Sequence, residues 1–242
     1  MPQPHCATAF GNVRSMINYN SDGSIENEWD EPGDLAWREV DWELYLDEQD
    51  ESIRDYLTRY DSLMGNVDRL DEVARLMGWE QMAESAEEAG PPDRNAPPDD
   101  DSLPESGWEP YTLHKNPVYI STKALYLGLT KTWEQLASSQ AHVPPPLGIV
   151  LLATLNRGYE QSLLAIQALD LGDYGLAVCL FKRALRELNL TLGHIESGLA
   201  GKDEACVSYR EYALPRLFDL REIWLRVMNE CREELGPDPH TE

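Results

Sequence analysis

From Phe181 to Leu235, two long segments carry large apolar residues at alternating steps of four and three. In the first, Phe181, Leu185, Leu188, Leu192, Ile195 and Leu199 keep that spacing without a break; in the second, Leu217, Leu220, Trp224, Val227, Cys231 and Leu235 repeat it. Such a step places all of these side chains on one stripe of an α-helix, and a stripe this long needs other helices to cover it. Strands would alternate every second residue between turn signals, and no such pattern competes. Two earlier segments fit the same scheme. Tyr126, Leu129, Trp133 and Leu136 share a helical face, and residues 147–170 are apolar nearly all round, with Arg157, Glu160 and Asp170 as the only charges. A helix of that composition is expected at the centre of a fold. The intervening "HVPPPLG" at 142–148 stops one helix and starts the next, because proline fits a first turn but not an interior. The expected fold class is all-α: an antiparallel four-helix bundle within 108–235, with helices starting near 117, 147, 173 and 207, preceded by an acidic helical hairpin.

The turn Gly172-Asp173-Tyr174, followed by Ala177, Phe181 and Ala184, resembles the second half of a tetratricopeptide repeat, in which glycine closes the turn and small residues admit a close helix. The resemblance covers about one unit of ~34 residues. The first-helix positions hold Ala165 and Ala168, no proline ends the second helix, and no second copy follows, so the expectation is a bundle hairpin. Residues equally distant from such a turn lie level. Arg157 should therefore face Glu187 and Glu160 should approach Arg183, either as interhelical ion pairs or as a polar cleft.

Charge divides the chain unevenly. Residues 1–107 hold 27 acids against 7 arginines and no lysine, a net of −20, whereas residues 108–242 hold 17 acids against 13 bases. Within 34–89 the spacing predicts a long helix burying Trp42, Leu46, Gln49, Ile53, Tyr56 and Tyr60, then a turn at Gly65-Asn66 and a short helix burying Val67, Leu70, Ala74 and Met77. The polar side of the long helix is anionic, with Asp41, Asp47, Glu48, Asp50 and Glu51 prominent. Residues 1–33 read as a flexible tail, 90–107 as a Pro/Asp-rich linker and 236–242 as a second tail. After the linker, Trp108, Tyr111, His114 and Tyr119 form an aromatic strap that either packs onto its own domain or meets a partner.

The motifs of common chemistries are missing. No Glu-x-x-His or HExxH spacing is present, and no GxSxG, GxxxxGK[ST] or GxGxxG, so neither a metal nor another cofactor is expected. Arg186 and His194 are separated by seven intervening residues, more than the Arg-then-His motif of HEPN-type ribonucleases allows. The longest apolar run, residues 147–155, is shorter than a membrane span, and the first residues lack a secretory pattern, which together with four scattered cysteines leads to a cytoplasmic expectation. A formal charge of −24 repels nucleic acid and anionic lipid alike. The expectation is thus a non-catalytic interaction or scaffold protein with a basic protein partner, met by Asp41, Asp47, Glu48, Asp50, Glu51, Trp108 and Tyr111, whose bundle can also homodimerise. The alternatives are a ligand-binding or enzymatic bundle with its cleft at Arg157, Glu160, Arg183 and Glu187, and an inhibitor that mimics nucleic acid.

Overall fold

A computed structural model describes residues 37–80, 113–139, 142–199, 201 and 203–236. The tail 1–33, the linker 90–107, Trp108 and Tyr111, and residues 237–242 of the second tail lie outside the described residues. Six α-helices are described: α1 (Glu39–Ser62), α2 (Arg69–Leu76), α3 (Pro117–Ala137), α4 (Pro145–Asp170), α5 (Tyr174–Leu199) and α6 (Glu204–Leu235). No strand is found among the described residues.

Local chemistry sets the boundaries. The Asn116 side chain accepts from the Val118 amide at 2.8 Å and Pro117 fills the first turn, so α3 begins with its free donors satisfied. Pro145 likewise fills the first turn of α4, there without a side-chain cap. At the α4–α5 turn Gly172 adopts φ +76°, a left-handed conformation that costs glycine little, and Asp173 accepts from the Leu176 amide to start α5. Asp203 caps α6 by accepting from the Cys206 amide, and His142 from the α3–α4 loop contacts its carboxylate. That imidazole, and then the Cys206 amide, hold the Asp203 carboxyl down at about 2.

Helices α3 to α6 form the bundle, each packed on its chain neighbours, with α6 closing back on α3. Trp133 Nε1 donates to the Gly148 carbonyl at 3.1 Å and joins α3 to α4; Arg157 Nε donates to Glu187 at 2.9 Å and joins α4 to α5. Tyr209 and Trp224 of α6 reach Leu129 and Thr122 of α3, so later residues on one helix meet earlier ones on the other. These two helices are therefore antiparallel. Trp224 is fully buried, stacked on Tyr126 and close to Phe181. Glycine admits the closest approaches: a Cβ at Gly158 would lie 2.5 Å from the Tyr126 hydroxyl, and one at Gly128 would lie 2.6 Å from that of Tyr212.

The stripes on α5 and α6 are inside as the spacing predicts, apart from half-buried Leu185 and Leu192 and an exposed Leu235 at the end of α6. Three expectations need correction. On α1 the buried set is Tyr45, Gln49, Ile53, Tyr56 and Tyr60, while Trp42 and Leu46 are exposed. A straight helix turns every 3.6 residues, so a strict four-three pattern drifts off the buried line when it is extended backwards. On the second helix Val67 is 92 % exposed, because α2 starts only at Arg69; Leu70, Val73 and Ala74 are buried and Met77 is half-buried. Finally, α4 is not central. It leaves Ile149, Val150 and Leu164 in solvent, since a helix on the ring of a bundle buries only one side. The central helix is α3, which is enclosed by α1, α4 and α6.

Candidate functional site

Helix α1 has two chemically distinct sides. Its start is fixed by Asp41, which accepts from the Arg38 amide and guanidinium; the amide, then the guanidinium, lower its pKa. The inner side rests on α3 and runs in the same sense, with Lys123 Nζ 3.5 Å from Asp50 and Leu57 against Gly128. Trp37, Trp42 and Tyr45 cluster at the amino-terminal end, where Tyr45 meets His114, which in turn meets Tyr119. His114 and Tyr119 of the strap thus pack onto their own domain.

At its other end α1 is pinned by a polar node. The Tyr60 hydroxyl donates to Asp219 Oδ2 at 2.5 Å, and Arg69 grips the same carboxylate through Nε and Nη2, both at 2.6 Å. Asp219 is buried, and a bidentate guanidinium offsets the cost of removing its charge from water. Burial, followed by the bond to Asp219, pushes the Tyr60 hydroxyl far above its ordinary range, which keeps it a donor. Next to this, buried Arg216 bonds Asp61, donates to the Tyr212 carbonyl and stacks on the Tyr212 ring at 3.5 Å. Arg226 completes the node, with Nη1 on Asp71 at 2.5 Å and Nε on Glu222 at 3.0 Å. Asp68, Asp71, Asp219, Glu222 and Arg226 line a cleft of about 220 Å³ between α2 and α6, and its charges are largely spent on one another.

The outer side of α1 carries Val40, Glu43, Leu44, Asp47, Glu48 and Glu51, all exposed. Val40 and Leu44 are 64 % and 60 % exposed, and the four carboxylates make no ion pair among the described residues. This is a helix face with aliphatic and anionic groups interleaved and nothing described covering it. Of the sequence-derived partner residues, Asp47, Glu48 and Glu51 belong to it; Asp50 turns toward Lys123, and Asp41 is occupied by the cap.

The quartet on the hairpin is only half assembled. Arg157 and Glu187 pair as expected, but Glu160 and Arg183 both point to solvent and make no ion pair among the described residues. The quartet does not enclose a cleft, and a separate hollow lies elsewhere. It is a largely apolar groove of about 350 Å³ between the end of α3 and the start of α4, lined by Trp133, Ala137, Pro145, Gly148, Ile149 and Leu152 with Glu134 and Ser138 at its edge. Among the described residues no group of three or more His, Cys, Asp or Glu is placed to hold a metal ion, and no helix is long and apolar enough to cross a membrane.

Sequence reasoning missed the node, although α6 carried a signal for it. A second four-three stripe, Tyr212, Arg216, Asp219, Ile223, Arg226 and Glu230, runs beside the apolar one, and charges spaced that way ask for partners on a neighbouring helix. No protein-family model, curated protein or solved structure matches the chain.

Proposed function

We propose that the protein is a non-catalytic helical interaction protein of the cytoplasm, in which the outer face of α1 engages a basic protein partner and the bundle is the rigid platform that presents it. The observation carrying this reading is the pairing pattern on α1. Asp41, Asp50, Asp55 and Asp61 each have a cation, whereas Glu43, Asp47, Glu48 and Glu51 have none among the described residues and flank two exposed aliphatic side chains. Like charges so close together weaken a helix, and an unrelieved row of them is relieved by a partner bearing the opposite charge. Val40 and Leu44 add apolar area that charge alone would not supply. The fitting partner is an amphipathic segment with lysine or arginine beside leucine-like residues, and a second copy of the chain is one source of such a segment.

Titration with a helical peptide of alternating Lys and Leu faces tests the reading. Binding should weaken steeply as salt rises, and the exposed-face variant Glu43→Gln, Asp47→Asn, Glu48→Gln, Glu51→Gln should lose at least about tenfold in affinity, roughly 1.4 kcal/mol. Binding that ignored both salt and these four substitutions would remove the reading.

A further inference from the structure

Helix α5 presents the complement of the α1 face. Leu176 and Leu190 are 48 % and 42 % exposed, and between them Lys182, Arg183 and Arg186 stand in solvent without an ion pair among the described residues. In a molecule of net charge −24, an unpaired row of three cations on one helix is as conspicuous as the row of carboxylates on α1. Resting on the reading of α1 above, we infer that the partner of the α1 face is the α5 face of a second copy of this chain.

One antiparallel register matches the leucines and two of the ion pairs. Setting Leu44 opposite Leu190 brings Glu48 opposite Arg186 and Glu51 opposite Arg183, while Asp47 falls opposite Glu187, whose charge is already met by Arg157. The parallel alternative that sets Leu44 against Leu176 brings Asp50 opposite Lys182 and Glu51 opposite Arg183, but it also sets Arg54 against Arg186, a contact between cations that the antiparallel register avoids. Within one molecule the faces do not meet: α1 lies on α3 with its inner side held by the Asp219 node, whereas α5 lies between α4 and α6. The contact is therefore heterologous, one face of a copy against the other face of the next, so it leads to chains or closed rings and not to a two-fold dimer. Overall negative charge opposes growth, but at physiological ionic strength screening acts over about 8 Å, and the local complement decides.

Sedimentation velocity of the full chain over a range of concentrations tests this. In about 0.05 M salt the mean mass should rise above the 27.5 kDa monomer with concentration, and in about 0.5 M salt it should return to the monomer. Two surface variants sharpen the result: α1 neutralised as above, and α5 carrying Lys182→Gln, Arg183→Gln and Arg186→Gln. Each alone should be monomeric with unchanged helical circular dichroism, and an equimolar mixture should form a one-to-one dimer that grows no further, since only one intact face of each kind remains. Association of either single variant like the parent, or a mixture that stays monomeric, would overturn the proposal. A parent that never associates would overturn it too. If in that case α1 still bound the Lys/Leu peptide and lost it on neutralisation, the reading of α1 would stand with a foreign partner; loss of both results would end both.

Discussion

At Asp219 three donor groups from two other segments converge: the Tyr60 hydroxyl and both nitrogens of the Arg69 fork. Replacing the carboxylate leaves a partly buried guanidinium and a buried hydroxyl without their acceptor, so Asp219→Ala should destabilise the fold by about 3 kcal/mol, measured by urea unfolding. Tyr60→Phe removes one neutral donor and should cost only about 1 kcal/mol. A second titratable group lies on the same stripe of α6. Burial, and then Glu233, push the Glu230 carboxyl up to about 7, and its Oε2 has no hydrogen-bond partner among the described residues. A folded-state pKa raised above the ordinary 4.5 means that the folded protein binds the proton more tightly than the unfolded chain does. The associated stability is fully present below that ordinary range and is lost as pH rises through about 7. Thermal melts of Glu230→Gln should therefore match the parent near pH 4 and exceed it near pH 8; a gain that did not depend on pH would point to another cause.

At the scale of the element, the sequence read best where a helix buries a single stripe. The Phe181–Leu199 and Leu217–Cys231 series went where their spacing put them, because each must face the bundle axis for its whole length. It read least well where a helix is enclosed on most sides or lies on the rim. Helix α3 is enclosed by three others and buries Ser121, Thr122 and Gly128 together with its large residues, a pattern that composition alone does not separate from a polar surface. Helix α4 shows the reverse: its apolar outer residues Ile149, Val150 and Leu164 suggest the centre, yet they lie on the rim. The contacts that pin α1 and α2 were invisible for a different reason, since Arg69 and Asp219 are 150 positions apart and pair only once two helices have met. Close packing makes its own prediction at this scale. Gly158→Ala forces a methyl group against the buried Tyr126 hydroxyl between α3 and α4, and should destabilise by about 2 kcal/mol in the same unfolding measurement.

Across the whole molecule the charges are segregated by role. Those of the node are matched, and they fix α1 and α2 to the bundle; among the unmatched ones, two rows of opposite sign stand on the outward faces of α1 and α5. Division of the chain into an acidic first half and a near-neutral second half was legible from residue counts, but the counts could not separate the acids that hold the fold from those left for a partner. The three-dimensional pairing makes that separation, and the interaction surface is read from what remains. Amide hydrogen exchange of the full chain, with and without the Lys/Leu peptide, tests this most directly. The account predicts slower exchange confined to residues 39–52 of α1 when the peptide is bound, abolished by high salt. Protection that centres on the α3–α4 groove around Trp133 and Ile149, with α1 unchanged, would contradict it.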